Sequence, residues 1–315
     1  MTELEIITMG RVSVDLYPEQ LGVSLAEVKT FAKSLGGSAT NVAVAAARLG
    51  HHSAVITKVG DDGFGAYVRT ALKGFGVDPR WVSTDPDLRT PLAFCEIFPP
   101  DDFPILFYRQ PKAPDINLRT EDLDLEAIAA VPLLWITGTG LSDEPSRSTT
   151  LAALEQRSGG ITVFDLDYRP MLWASREETE RLYREALQHA TVAVGNQEEV
   201  EVAVGTGDPF EASRALLECG LELAVVKRGP EGVLARTAAG VVEAPPIEVE
   251  VVNGLGAGDA FGGALCHGLL SGWDPERMVR YANAAGAIVA SRLACADDMP
   301  TREEVEQLLE GSAGV

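Results

Sequence analysis

The chain contains one stretch, Asn253-Gly254-Leu255-Gly256-Ala257-Gly258-Asp259-Ala260-Phe261, in which a glycine-rich turn leads directly into small, helix-forming residues. Such a turn lets several backbone N–H groups point at one anion at a helix N-terminus, because no Cβ atoms stand in the way. A carboxylate beside that anion could accept the proton of a hydroxyl that receives a phosphoryl group. The stretch predicts a kinase site, with Gly256, Ala257 and Gly258 as an anion hole and Asp259 as the base.

Three alternative roles for this stretch differ in how well its residues fit them. The helix dipole alone favours an acid in a first helical turn. Considered without the rest of the chain, the turn is therefore equally compatible with helix capping and with catalysis. A dinucleotide-binding G-x-G-x-x-G motif should precede most of a sheet, whereas few residues follow this one. A P-loop needs G-x-x-x-x-G-K-[ST], which the sequence lacks. The Rossmann and P-loop schemes are therefore excluded.

Composition restricts the compartment and the partners. The net charge is −21, which argues against binding to nucleic acid or to anionic membranes, since both need a basic face. The four cysteines form no C-x-x-C pair, as expected for reduced thiols in a cytosol. The N-terminus carries Glu3 and Glu5 and does not resemble a signal peptide, and no apolar run reaches membrane-spanning length. We expect a soluble, cytoplasmic protein.

Strand-like and helix-like segments alternate along most of the chain. Residues 4–9 and 53–59 are predicted strands around a helix at 39–49, and the alternation continues to a strand at 223–227 and a short β region at 232–252. This order predicts an α/β fold with a mostly parallel sheet between helices and with ligands at the carboxyl ends of the strands. We expect a single domain over residues 1–315.

Two segments interrupt the alternation. Residues 12–35 and 90–110 are predicted to form short antiparallel strands and turns. Both segments branch off from the strand ends at which a ligand would bind, so we interpret them as one β-sheet lid over that site. A pair of surface hairpins is the alternative. A small sheet also leaves an apolar face and an edge that a second subunit could cover, which predicts a homodimer through the lid.

Glycines and polar residues near the first predicted strand and helix form the first group of candidate ligands. Gly36 and Gly37 allow close approach of a small hydroxylated molecule, and Asn41 can both donate and accept hydrogen bonds. A plain helix N-cap at Ser38 is an equal alternative. Asp15 could accept from vicinal hydroxyls, although a solvated turn acid is the default interpretation.

The later strand ends carry further candidates. Three charges in residues 165–170 end a buried strand and are hard to explain by packing. Asn196 and Glu199 could form a capping box or hold the water shell of Mg²⁺. Residues 227–232, Lys-Arg-Gly-Pro-Glu-Gly, offer a cation and two glycines to a nucleotide, or form an ordinary hairpin turn. Arg109 could clamp a carboxylate or be an edge-strand charge. Because parallel strands end at one edge of a sheet, we expect these motifs to meet there.

Together these motifs resemble the ribokinase-like, pfkB-type carbohydrate kinases over nearly the whole chain. The resemblance lies in Gly36-Gly37 with Asn41, in the N-x-x-E segment 196–199, in the loop glycines at 229 and 232, and in the Gly256–Asp259 segment. It implies a three-layer α/β/α sandwich, ATP and Mg²⁺ as cofactors, Glu199 holding Mg²⁺ through water, and as a further option a monovalent cation such as K⁺. The nucleotide-binding residues that it implies are Asn196, Lys227, Gly229, Gly232, Gly256, Gly258 and Asn283.

Within this family, the segments 10–15, 30–37, 107–115 and 165–170 are most similar to those of members that phosphorylate 5-dehydro-2-deoxygluconate, a sugar acid of myo-inositol breakdown. A carboxylate demands cationic partners. The implied substrate-binding residues are Arg11, Asp15, Lys33, Gly36, Gly37, Asn41, Arg109 and Arg169. Kinases of 2-keto-3-deoxygluconate, fructose or ribose are alternatives, as is a sugar-sensing protein that has lost catalysis.

The chain departs from the family pattern at two places. The family's Asp-Thr-Thr before the anion hole is Asn253-Gly254-Leu255 here, and Lys227 replaces a threonine of the nucleotide loop. The first departure removes an acid and two hydroxyls. We therefore expect backbone amides to carry the anion binding.

Overall fold

The computed structural model describes residues 3–312, whose strands form two sheets. The strands of this part of the chain are β1 (Ile6–Met9), β2 (Ser13–Pro18), β3 (Phe31–Gly36), β4 (Ser53–Gly60), β5 (Val82–Asp85), β6 (Leu92–Cys95), β7 (Ile105–Tyr108), β8 (Leu133–Thr137), β9 (Ile161–Asp165), β10 (Val192–Asn196), β11 (Leu223–Lys227), β12 (Val233–Thr237) and β13 (Gly240–Ala244).

The helices connect these strands and often begin at side-chain caps. They are α1 (Ser38–Arg48), α2 (Gly63–Gly74), α3 (Leu125–Ala130), α4 (Ser146–Glu155), α5 (Arg176–Leu187), α6 (Gln197–Val204), α7 (Pro209–Glu218), α8 (Ala257–Leu270), α9 (Pro275–Ala290) and α10 (Arg302–Ser312). Asp208 and Asp274, for example, each stand directly before a proline that begins a helix, and their side chains accept hydrogen bonds from backbone N–H groups of the first helical turn. Within residues 3–312, no helix has the length and apolarity needed to cross a membrane.

The large sheet has nine strands in the order β13-β12-β11-β10-β9-β8-β1-β4-β5. Its pairs are parallel except those that β12 makes with β11 and β13, so the predicted mostly parallel sheet is confirmed. Central strands such as β4 and β8 are buried along their whole length, as expected for a sheet covered on both faces. At the centre, Ile6 of β1 pairs with both Ser53 of β4 and Leu133 of β8. The strand order therefore reverses at β1, because β4 and β5 extend the sheet on one side and β8 to β13 extend it on the other. Ligands bind in the crevice at such a reversal.

Two apolar cores lie on opposite faces of this sheet. One contains Val42 of α1, Ala264 of α8 and Val289 of α9, and the other contains Leu154 of α4 and Leu182 of α5. This arrangement confirms the predicted α/β fold with helices on both sides. Glycines and alanines in α1 and α8 let these two helices approach closely, so that the loops before both helices meet at the same edge of the sheet.

The small sheet has the order β3-β2-β6-β7 and comes from the two segments that interrupt the alternation. The prediction of purely antiparallel strands was wrong, because β2 and β6 pair in parallel. These two strands come from separate excursions of the chain, and no hairpin joins them. The predicted β region 232–252 was also too long, since β13 ends at Ala244 in front of Pro245 and Pro246. Proline lacks the N–H that a strand ladder requires.

Candidate active site

Two cavities lie on either side of the turn that precedes α8. The lid cavity, of about 500 Å³ including the space open to solvent, lies between the small sheet and the large sheet, and Arg11, Asp15, Asn41, Arg169, Gly256 and Asp259 are among its lining residues. The loop cavity, of about 1180 Å³ and open to solvent, is lined among others by Lys227, Gly229, Gly232, Ala257, Gly258 and Asn283. Most of the predicted site residues therefore gather around this one turn, at the edge where the parallel strands end.

The turn itself exposes unpaired backbone donors. Gly256 has φ 82°, and α8 begins at the next residue. Among the described residues, no hydrogen bond uses the N–H groups of Gly256, Ala257 or Gly258. Asn253 fixes the turn from below, because its Nδ2 donates to the Leu293 carbonyl at 2.6 Å and its Oδ1 accepts from Leu255 N at 3.0 Å. The three free amides at the start of a helix form a nest that is suited to an anion.

Asp259 lies between this nest and the lid cavity. Asn41, in the first turn of α1, donates from Nδ2 to Asp259 Oδ2 at 2.8 Å, while Asn41 Oδ1 is buried without a partner among the described residues. Burial raises the pKa of Asp259 to about 6, against the opposing effect of the Asn41 hydrogen bond. A carboxylate with this pKa is ionised at neutral pH and still able to accept a proton.

Asp15 enters the lid cavity from β2. Ser13 Oγ donates to its Oδ1 at 2.6 Å, and Tyr17 Oη approaches its Oδ2 at 3.4 Å. Burial raises the pKa of Asp15 to about 6. Gly36 is required beside it, since a side-chain carbon at that position would overlap the Asp15 carboxylate. The arrangement offers acceptor oxygens to the hydroxyls of a small ligand.

Two guanidinium groups complete the floor of the lid cavity. Arg11 Nη2 contacts Asp167 Oδ2 at 2.9 Å, and Arg169 Nη2 contacts Asp167 Oδ1 at 3.0 Å. Arg169 Nη1 also lies 3.6 Å from Glu199 Oε1, so Arg169 pairs with a second buried carboxylate. Burial raises the pKa of Asp167, but the charges of both arginines outweigh it and hold that pKa below the usual value. Asp167 is therefore an ionised partner shared by two cations.

Lys33 and Arg109, both predicted to bind substrate, lie outside the lid cavity. Lys33 is on the outer face of β3, with Nζ 3.7 Å from the centre of the Tyr67 ring. Arg109 forms a buried ion pair with Asp115 and donates to the Val12 carbonyl at 3.4 Å. Neither side chain lines the lid cavity, so the structure does not bring these two cations to it.

On the other side of the turn, Lys227 ends β11 beside Gly258. Burial lowers the pKa of Lys227, but the charges of Glu199, Asp165 and Asp259 outweigh this effect and raise it. A permanently charged ammonium next to free amides suits a polyanionic ligand. Asn283 also lines the loop cavity and donates from Nδ2 to the Pro245 carbonyl at 2.6 Å.

Asn196 and Glu199 form a reciprocal capping box at the start of α6. Asn196 Oδ1 accepts from Glu199 N at 2.9 Å, and Glu199 Oε2 accepts from Asn196 N at 2.7 Å. Within residues 3–312 no group of three or more His, Cys, Asp or Glu side chains could hold a metal ion. Neither Asn196 nor Glu199 lines the loop cavity, so they could reach a Mg²⁺ only through water, and they do not fit a cage made by the protein alone.

Several cavity residues were missed from the sequence. Ser13 and Tyr17 share one face of β2 with Asp15, so strand alternation alone could have identified them. Cys295 also lines the lid cavity and accepts a hydrogen bond from Tyr17 Oη at 2.8 Å; no motif or spacing in the chain pointed to it. Asp165, one of the three charges noted from the sequence at the end of a strand, lines neither cavity; burial raises its pKa well above the usual value, and its Oδ2 accepts from Ser38 Oγ at 3.4 Å.

Residues 3–302 match the family model described as pfkB family carbohydrate kinase. The chain belongs to this family. A 5-dehydro-2-deoxygluconokinase of Geobacillus kaustophilus (strain HTA426) is 36% identical to it over 315 residues, with 98% of this chain and 94% of the relative covered. These findings confirm the predicted family and the carbohydrate-kinase class.

Solved structures of sugar kinases share the fold. An E. coli protein assigned as ribokinase II, in complex with ATP and Mg²⁺, superimposes with a TM-score of 0.90 at 25% identity, covering 98% of this chain and 100% of that one. A double mutant of the fructokinase from Vibrio cholerae O395, with bound fructose, ADP and potassium ion, gives 0.84 at 27% identity over 97% and 98% of the two chains. The ribokinase-like architecture is thereby confirmed.

Proposed function

We propose that this protein transfers the γ-phosphoryl group of ATP to the primary hydroxyl of a sugar acid, 5-dehydro-2-deoxy-D-gluconate, to give its 6-phosphate. The observation that carries the proposal is the juxtaposition of Asp259 with the free amides of Gly256, Ala257 and Gly258 at the boundary of two cavities. The name of the Geobacillus kaustophilus relative and the two arginines in the lid cavity support the choice of substrate.

The chemistry needs a base and a site for developing negative charge. Asp259 accepts the proton of the attacking hydroxyl, and a base of this kind contributes about 10² to 10⁴-fold. Asn41 keeps the Asp259 carboxylate oriented through the 2.8 Å hydrogen bond, and its unpaired Oδ1 accepts from a second sugar hydroxyl. The amides of Gly256 to Gly258 stabilise the charge on the transferred group.

The sugar acid lies in the lid cavity. Asp15 accepts from its hydroxyls, Gly36 leaves room for the Asp15 carboxylate, and Gly37 lines the cavity beside it. Arg11 and Arg169 bind the carboxylate, since guanidinium groups match carboxylates in charge and shape.

The nucleotide occupies the loop cavity. Lys227, Gly229, Gly232 and Asn283 surround its phosphates and nucleoside, and Asn196 supports this region by capping α6. Glu199 holds Mg²⁺ through water. Mg²⁺ supplies charge neutralisation for the phosphate oxygens when it is bound.

The proposal is tested by measuring ADP release with a panel of acceptors at saturating ATP and Mg²⁺. We expect release with 5-dehydro-2-deoxygluconate and little with fructose or ribose. Faster release with 2-keto-3-deoxygluconate would reassign the substrate within the sugar acids. Faster release with a neutral sugar would contradict the sugar-acid assignment, and binding without ADP release would indicate a sugar sensor. Repeating the assay with K⁺ replaced by choline tests the monovalent cation, for which we expect a K⁺ stimulation.

The small sheet closes the lid cavity and, in this proposal, also joins two copies of the chain. Its outer face carries a row of aromatic rings, Phe31, Phe94 and Tyr108, with centroids 5.4 and 5.3 Å apart. Leu106 and Tyr108 are 49% and 60% exposed there. An apolar sheet face of this kind is stabilised by covering it. Sedimentation should show a dimer for the wild type and a monomer for Leu106→Glu; an unchanged mass in that variant would argue against this interface.

A further inference from the structure

Asp167, one of the three charges noted from the sequence at the end of β9, contacts both arginines of the lid cavity. We propose that Asp167 is a positioning residue that fixes Arg11 and Arg169 toward the substrate carboxylate and thereby sets the preference for acidic sugars. This inference rests on the proposed function, because it assumes that the two arginines bind a carboxylate.

Asp167 connects the ends of three neighbouring strands. Arg11 follows β1 and reaches Asp167 with Nη2 at 2.9 Å and 3.2 Å from the two carboxylate oxygens. Thr139 follows β8, donates from Oγ1 to Asp167 Oδ2 at 2.9 Å and accepts from Arg11 Nε at 3.0 Å. Arg169 follows β9 and contacts Asp167 Oδ1. One carboxylate thus sets the orientation of both guanidinium groups.

The backbone at Asp167 is held in an uncommon conformation. Of the non-glycine residues that the structure describes, only Asp167 has a positive φ, at 32°, and its side chain is 3% exposed. Left-handed conformations of such residues carry strain and persist where the surroundings hold them in place, often at functional sites. Here the strained residue is also the one on which both cavity cations converge.

Charge balance explains why an acid is needed at this place. Two guanidinium groups directed into one small cavity repel each other, and the Asp167 charge offsets one of them. Asp15 and Asp259 add negative charge to the same cavity, so binding of a carboxylate there depends on how the two guanidinium groups are directed and not on a net positive charge. Arg11 Nη1 forms no hydrogen bond with the described residues, so this donor is available to a ligand. Fixed donors bind a planar carboxylate better than mobile ones because less side-chain entropy is lost.

The test is a double-mutant cycle on kcat/KM for 5-dehydro-2-deoxygluconate, with Asp167→Asn and Arg169→Ala singly and together. Asp167→Asn weakens the charged hydrogen bonds that hold the two arginines. Because such bonds stabilise more than neutral ones, the substitution should lower kcat/KM by about 10 to 100-fold, mostly by raising KM. If Asp167 merely reduced the positive charge, the same variant would bind the acid more tightly. In the Arg169→Ala background the effect of Asp167→Asn should shrink by at least about threefold.

Asp122→Asn is the matched control, because Asp122 pairs with Lys58 at 2.9 Å and neither residue lines the lid cavity. It should leave kcat/KM unchanged, and all variants should keep wild-type ADP affinity. If Asp167→Asn does not fold, Thr139→Val replaces it, with a smaller loss in the same direction. Additive effects in the cycle, or tighter binding of the acid, would overturn the positioning role. A wild type inactive on every acid would instead refute the proposed function.

Discussion

The hydrogen bond from Asn41 to Asp259 sets the pH at which the proposed base becomes active. Asn41 Nδ2 lies 2.8 Å from Asp259 Oδ2 and favours the ionised carboxylate, whereas burial favours the protonated one and raises the pKa to about 6. The substitution Asn41→Leu keeps a side chain of similar size and removes the donor. The pKa of Asp259 should therefore rise further.

The size of the effect follows from the hydrogen bond. A bond to a charged group contributes about 1.5 to 3 kcal/mol, and 1.36 kcal/mol corresponds to one pKa unit, so the pKa of Asp259 should rise by roughly one to two. Only the ionised carboxylate accepts a proton, so the acid limb of kcat/KM should move upward from near pH 6. When each enzyme's kcat/KM is normalised to its own plateau at high pH, the value of Asn41→Leu at pH 7 should be about two to tenfold lower than that of the wild type.

The assay measures ADP release from pH 5 to 9 for the wild type and Asn41→Leu. Asn117→Leu is the control, since Asn117 also donates to a carboxylate, Asp85 Oδ2 at 2.5 Å, outside both cavities. Its acid limb should coincide with that of the wild type. An acid limb of Asn41→Leu at the wild-type pH, or below it, would show that this hydrogen bond does not control the pKa of Asp259.

Two further substitutions test the site. Gly256→Ala should lower kcat by about 10² to 10³-fold, because a Cβ there lies 2.5 Å from Cys295 Sγ and displaces the free amides; Gly272→Ala, with φ 64° and no atom within 4 Å of the added carbon, is the control for backbone strain and should keep kcat. Asp15→Asn should raise the melting temperature at pH 8 by a few degrees. The native pKa of Asp15 is raised to about 6, so the folded state loses stability as pH rises from about 4 to 6, and the gain should vanish at pH 4. A gain independent of pH would contradict this cause.

The large sheet and the meeting of motifs at its edge were predictable because both depend on order along the chain. β1, β9 and β11 all end at one edge of a parallel sheet, so Arg11, Arg169 and Lys227 had to come near one another. The contact of Asn41 with Asp259 joins residues far apart in sequence and depends on how α1 packs against α8. Local pattern contains no such information.

The small sheet was harder to predict, since the direction of its side chains depends on register. Leu16 pairs with Lys33, which places Lys33 on the face opposite Asp15 and away from the cavity. A slip of one residue would reverse that outcome. Arg109 was assigned to the substrate from its charge and from the family resemblance of its segment, but the chain supplies Asp115 as its partner. Asp167 was one of the three charges predicted to mark a site at the end of β9, but its particular role could not be predicted because it depends on contacts with two arginines.

A single-turnover measurement on Asp259→Asn, with 5-dehydro-2-deoxygluconate and radiolabelled ATP, isolates the proposed proton transfer. The amide has nearly the shape of the carboxylate but cannot take the proton. We predict a fall of about 10² to 10⁴-fold in the rate of phosphoryl transfer, with ADP affinity unchanged. A transfer rate within a few fold of the wild type would contradict the role of Asp259 and, with it, the proposed mechanism.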